Sequence, residues 1–305
     1  MSSCYEIIDP RFGDLIDPVA FLETIHTGNR WAEGPVYFAD LRTLIWSDIP
    51  NDRMLRWDEE TGAVSLFRSH VANPNGNTRD REGRLVTCMQ GERRVVRTEW
   101  DGSITVLADS FEGKRLNSPN DVVVKSDGSI WFTDPNYGII SDYVGRRNPQ
   151  EQPGCRVYRI DPQSGRIAVV ADDFSMPNGL AFSPDEDLLY IADSGFLTDR
   201  SAPHHVRVFE VAGDRLKNPR LFADITPGIP DGFRVDVAGN LWISAWDGVQ
   251  CHTSVGELIG KILVPDMVAN VAFGGPRNNR LFITATTTVY AVFLNIRGLK
   301  YPFAR

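Results

Sequence analysis

Residues 178–194, NGLAFSPDEDLLYIADS, decide the fold. Asn178-Gly179 follows Pro177 in a bend, and Leu180–Phe182 reads as a short strand. Pro184-Asp185-Glu186-Asp187 is turn chemistry. Leu188–Ala192 is an apolar run of strand length, read as a buried second strand. Residues 231–245, DGFRVDVAGNLWISA, and 120–134, NDVVVKSDGSIWFTD, repeat this strand–turn–strand pattern. Looser copies occupy 33–48, 75–88 and 270–285.

Across the six copies a polar residue precedes the centre of a second strand by 11 to 13 positions. The polar residues are Glu33, Asn75, Asn120, Asn178, Asp231 and Asn270; the centres are Trp46, Val86, Trp131, Tyr190, Trp242 and Phe282. Runs such as Met54–Trp57 and Val64–Phe67 add further strands to each hairpin. A repeat of roughly 40–60 residues with about four antiparallel strands per unit predicts an all-β, six-bladed β-propeller. One blade cannot bury its own faces, so the reading is a single domain over 1–305, with 1–18 as an N-terminal extension. Val19–Ile25 is expected to supply the outer strand of blade six, beside 289–294, VYAVFL, and close the ring.

The repeat fixes the geometry of a site. Each polar residue opens the innermost strand of its blade, and the second strand returns antiparallel to the same face. Six side chains with oxygen atoms therefore ring one mouth of a common channel. Asp48, Asp134, Asp193 and Trp246 end second strands at that mouth. The long connections 135–155, which holds Asn136, Tyr137, Arg146 and Arg147, and 194–205 overhang it as candidate lids.

Composition removes other classes. The 305 residues are 42% hydrophobic and 24% charged, with net charge −8. Nucleic acid wants a basic surface, and an acidic chain has no attraction to anionic membranes. The four cysteines are far apart and unpatterned. No signal peptide and no run of 18 apolar residues is read, so a cytoplasmic location is expected. Monomer and dimer both remain open. Metalloprotease, serine-hydrolase and nucleotide-binding motifs are lacking.

Taken alone, Asn-Gly, Asp-Gly and Asn-Asp are turn signals. Their shared register changes the weighting. Two carboxylates, Glu33 and Asp231, stand with the amides of Asn120 and Asn178, while Asn75 and Asn270 are spares. Oxygen donors without His or Cys suit one divalent cation of the calcium or magnesium type. Calcium is favoured, because it tolerates irregular ligands drawn from separate blades; manganese and zinc are also compatible with oxygen donors. Asp121 and Asp134 flank the ring, and their plainer reading is hydrogen bonding that caps the blades.

The segments WAEGP at 31–35, SPNDVVV at 118–124, MPNGLAFS at 176–183 and PDGFRVDVAGNLW at 230–242 resemble the gluconolactonase family, which includes regucalcin. RLNSPNDVVVKSDGSIWFTDPNYG, 115–138, is similar to its bacterial branch. The resemblance spans roughly 20–295. It implies a propeller with one divalent cation held by Glu33, Asn178 and Asp231, a substrate contact from Asn120, and Asp231 as general acid/base. One departure stands out. Regucalcin has an arginine two residues before the substrate asparagine, where this chain has Ser118; Arg115, Arg146 and Arg147 are candidates to compensate. Asp121, Asp134 and Tyr137 are expected to join Asn120 at the substrate.

The expected activity is metal-dependent hydrolysis of a sugar lactone, glucono-1,5-lactone first. The rivals are a calcium-dependent esterase or phosphotriesterase on the same scaffold and a calcium-binding propeller that catalyses nothing.

Overall fold

The computed structural model describes residues 4–299 and is a six-bladed propeller of antiparallel sheets. Blade one runs outward as Ala32–Phe38, Thr43–Asp48, Arg53–Asp58 and Val64–Ser69. Blade two is Pro74–Arg79, Leu85–Met89, Arg94–Thr98 and Ile104–Ala108, and blade three is Val122–Val124, Ile130–Asp134, Cys155–Ile160 and Ile167–Phe174. Blade four is Pro177–Phe182, Leu188–Asp193, His205–Ala212 and Arg215–Asp224. Each second strand is buried along nearly all its length because sheets face it on both sides; Trp46, Trp131 and Trp242 are wholly buried there. Aromatic pairs stitch neighbouring blades, as where Trp131 meets Phe182 edge-on at 5.6 Å.

Blade six is closed by the N-terminal segment. Glu23–Thr27 pairs antiparallel with Thr288–Phe293, outside Arg280–Ala285 and Val268–Gly274. The closure is as expected, but the strand begins four residues later than Val19. The chain bends at Asp17–Pro18, and Val19 and Phe21 are exposed.

Residues before 18 do more than extend the chain. Blade five, built of Phe233–Val235, Leu241–Ala245, Gly248–His252 and Leu258–Leu263, gains Tyr5–Ile7 as a fifth strand, paired Tyr5 to Ile262 and Ile7 to Gly260. Phe12, in the short helix Arg11–Leu15, is fully buried, its ring centre 5.9 Å from that of Trp242. Gly260 makes the room: a Cβ there would lie 2.2 Å from the Phe12 ring. A three-residue strand and a one-turn helix carry too little periodicity to be read from sequence.

Phe12→Ala should therefore cost about 3–5 kcal/mol of unfolding free energy, the usual price of emptying an aromatic site. Chemical denaturation checks this; a change under about 1 kcal/mol would show that the segment merely rests on blade five.

Candidate metal centre

All six predicted ring residues open inner strands or immediately precede them, and all but the half-buried Asp231 are buried. The pairing explains how they face the axis. In blades one, two, four and six the inner strand slips register at this point, between Glu33 and Val36, Pro74 and Asn77, Pro177 and Leu180, and Val268 and Asn270. Such bulges re-aim side chains. Asn178-Gly179, expected in a bend, lies inside one of these bulged strands.

The glycines after the ring residues also have a packing role. A Cβ on Gly34 would sit 2.1 Å from the carbonyl oxygen of Asn75, and one on Gly76 2.5 Å from that of Asn120. On Gly179 it would meet the Asp231 carbonyl at 2.3 Å, and on Gly232 the Asn270 amide at 1.9 Å. Each glycine thus admits the ring residue of the next blade, and Gly34 also has φ +53°. The Gly76 and Gly179 N–H groups donate to Asn120 and Asp231 carbonyls at 2.8 and 3.0 Å.

A second tier of buried hydroxyls ties the ring to the second strands. Ser47 donates to the Asn75 carbonyl at 2.7 Å, and Thr284 to that of Asn270 at 3.1 Å. The Asp231 N–H donates to Ser244 at 2.8 Å.

Three carboxylates share the axis. One Glu33 oxygen accepts from the Gly34 N–H at 2.6 Å and the Asn270 amide at 3.1 Å. One Asp121 oxygen accepts from the Val122 N–H at 2.8 Å, while the other is buried with no hydrogen-bond donor and lies 3.7 Å from the Arg234 guanidinium. Burial raises the Glu33 pKa, the nearby Asp121 charge adds to it, and the Gly34 and Asn270 donors oppose it. Asp121 is raised by burial and held back by Arg234. Asp231 is pushed furthest, by burial and then by Glu33 and Asp121, against a hydrogen bond from Asn178. Among the described residues no three His, Cys, Asp or Glu side chains gather as a metal cluster. A cation here would have to draw on amide oxygens as well as acids, and the donor set fits one: crowded carboxylates, an orphaned carboxylate oxygen and an adjacent Asn.

The remaining candidates separate. Asp134 is fully buried, and its two oxygens accept the Asn117 and Ser118 N–H groups, both at 2.8 Å. Asp193 does the same for residues 175 and 176, and one oxygen of Asp48 accepts both N–H groups of residues 30 and 31. Each clasps the two amides that lie three and two positions before its ring residue. Burial raises Asp134 to about 7 against those two donors. With both oxygens engaged inside the blade, Asp134 is a clasp, and a place at the substrate is withdrawn for it.

Tyr137 does reach the mouth. It opens the helix Tyr137–Ile140, its hydroxyl lies 3.4 Å from the Ser194 carbonyl, and burial and the Asp231 charge raise its pKa. Ser118 explains the helix. Its hydroxyl donates to the Pro135 carbonyl at 2.6 Å and accepts the Gly138 N–H at 2.9 Å. Gly138 packs so closely that a Cβ would lie 2.8 Å from the Ser118 Cβ. An arginine at 118 would have no room. The same loop reaches the far side of the mouth, where the Tyr143 hydroxyl donates to the Arg30 carbonyl at 3.3 Å. The arginines proposed as replacements face elsewhere: Arg115 donates to the Glu92 carbonyl, Arg147 pairs with Asp142, and Arg146 is exposed.

Arg234 and the packing of Phe196 and Arg200 beside Trp246, a residue expected at the mouth, were missed by sequence reasoning. Arg200 stacks on Phe196 and Trp246 at 4.7 and 5.7 Å beside the 194–205 connection. The Arg at the third position after Asp231 was the available signal for the first; nothing in sequence announced the second.

Residues 31–287 match the SMP-30/Gluconolactonase/LRE-like region. The chain belongs to this family. It is 31% identical to a gluconolactonase of Zymomonas mobilis, over 93% of this chain and 84% of that one. Identity is also 31% to the pentonolactonase XacC of Haloferax volcanii, covering 85% and 83%. A solved gluconolactonase from Xanthomonas campestris superposes with a TM-score of 0.89 at 37% identity, over 95% and 94% of the two chains.

Two outcomes test the centre. A carboxylate with a raised folded-state pKa holds its proton more tightly folded than unfolded, so its ionisation costs stability as the pH rises past its unfolded value. Chelator-treated protein should therefore lose thermal stability from about pH 4 upward to neutrality, and saturating calcium should remove that slope. A flat metal-free profile would deny the repulsion. Gly232→Ala should weaken calcium binding by 10-fold or more, on the order of 1.4 kcal/mol, as read by calorimetric titration, because its Cβ displaces Asn270 and with it a donor to Glu33; unchanged affinity would deny the close approach a role.

Proposed function

We propose that the protein is a metal-dependent sugar-lactone hydrolase, with glucono-1,5-lactone as its first substrate. The observation that carries the proposal is the mutual charge repulsion of Glu33 and Asp231, with Asn178 hydrogen-bonded to Asp231, at the mouth of a propeller of this family. The relatives named as lactonases support the reaction class.

Glu33, Asn178 and Asp231 would hold one divalent cation, calcium in our reading. When bound, it supplies Lewis-acid polarisation of the lactone carbonyl. Asn120, buried beside Gly76, orients the substrate through its amide. Asp231 orients the attacking water and accepts its proton as the water oxygen bonds to the carbonyl carbon. The ring C–O bond then breaks, and the proton passes to the departing ring oxygen, leaving a hydroxy acid. Asp121, held beside Arg234, is given no part in the proton transfer. Tyr137 borders the substrate from the 135–155 connection and limits water entry. The reaction is assigned to the cytoplasm, in keeping with four cysteines that are all free thiols.

Asp231→Ala and Asn178→Ala should each lower turnover of glucono-1,5-lactone by about 10²–10⁴-fold with the circular dichroism spectrum retained. EDTA should silence the wild type, and added calcium should restore it. Turnover by Asp231→Ala close to wild type, or full activity after verified metal removal, would end the assignment.

A further inference from the structure

The propeller has a second mouth, and its chemistry is the opposite of the first. Inner strands run from the ring residues toward the far face, so Tyr37 lies four residues, about 13 Å of strand, beyond Glu33. There a cavity of about 560 Å³ opens between the ends of five inner strands. That volume suits a small organic ligand. Its lining holds four arginines, Arg79, Arg234, Arg277 and Arg297, and no aspartate or glutamate. In a chain of net charge −8 this is a local reversal of sign. The rest of the wall includes Phe182, Val235, Phe273 and Leu299.

The arginines are not equivalent. Arg79 is committed, 2.9 Å from Asp40 and stacked on Phe38. Arg277 and Arg297 are exposed at the rim, and among the described residues neither has an ion pair. Their backbones are held in place. The Asn278 amide donates to the Gly298 and Leu299 carbonyls at 2.7 and 3.1 Å, and the Val237 N–H donates to the Arg297 carbonyl at 3.0 Å. Arg234 faces both ways: it lines this cavity, and its guanidinium is 3.7 Å from Asp121 at the candidate metal centre.

We propose that this far cavity binds a small organic phosphate, its phosphate group taken by Arg277, Arg297 and Arg234 and its apolar body by Phe182 and Phe273. Guanidinium groups match phosphate oxygens in geometry as well as charge. A phosphate beside Arg234 offsets the positive charge that faces Asp121, so occupancy of the far cavity strengthens cation binding at the near one. By linkage the cation strengthens phosphate binding by the same factor. Only this coupling rests on the metal centre proposed above; the phosphate site does not.

Titration calorimetry with phenyl phosphate tests the site on the intact protein, with the double variant R277A/R297A as control. Both positions are exposed and remote from the ring residues, so this variant should fold and hydrolyse lactone as the wild type does. The wild type should bind one phenyl phosphate saturably, and R277A/R297A should bind it at least 10-fold more weakly. Absence of saturable binding, or equal affinity in the double variant, overturns the site. Calcium should bind the wild type several-fold more tightly in saturating phenyl phosphate, with no such gain in R277A/R297A. Calcium affinity indifferent to phenyl phosphate overturns the coupling through Arg234. Phosphate binding in a protein that neither binds calcium nor hydrolyses lactone would fault the metal centre and leave this site standing.

Discussion

Glu33 and Asp121 are buried and Asp231 half-buried where six blades converge, and the one ion pair any of them makes among the described residues is that of Asp121 with Arg234. Like charges out of water are costly, and no solvent screens them. A fold that only had to be stable would place apolar residues there. This fold instead holds the acids together with a tier of buried hydroxyls and with glycines whose missing Cβ atoms let neighbouring blades touch. The stored repulsion can be relieved by a proton or by a cation. A cation is the relief our proposal assigns to it.

Two blades lack the glycine, and the exceptions are informative. Blade three has Asp121 after Asn120, and blade six has Val271 after Asn270. At blade three the freed position introduces the third carboxylate. Gly76 of blade two makes this tolerable, because a side chain there would collide with the Asp121 backbone and carboxylate at 2.6 Å. At four of the six junctions, therefore, a glycine lets one blade's ring residue seat against the next blade's.

The ring was legible in sequence because it is periodic: a polar residue at constant offset from a buried strand survives the divergence of everything between. The role of the glycines was not legible. Asn-Gly is a turn signal in isolation, and only the neighbouring blade, some 40 to 60 residues away, shows that the glycine serves a close approach rather than a bend. Arg234 was hidden for a related reason. It sits in a three-residue inner strand, Phe233–Val235, where an arginine reads as a solvent-facing position, and its acid partner is 113 residues earlier. The closing strand of blade six was legible from its apolar partner, whereas Tyr5–Ile7 and Phe12 were too brief to declare themselves.

Asp134 and Asp231 show why residue type alone cannot assign a role at such a mouth. Both are aspartates at the same end of a blade, both bear raised pKa values, and burial is the first cause in each. They differ in what opposes the burial. Two backbone N–H groups fill both oxygens of Asp134, and the same pair of N–H donors recurs at Asp48 and Asp193, so this is a repeated fastening of inner to second strand. Asp231 is opposed only by the side chain of Asn178, which can turn its amide, and it faces two other acids instead of a backbone. The first arrangement is complete within the protein; the second is left without a balancing charge. Ser118 belongs to the same logic. By anchoring the helix that carries Tyr137, it holds a packed loop with an aromatic side chain at the mouth.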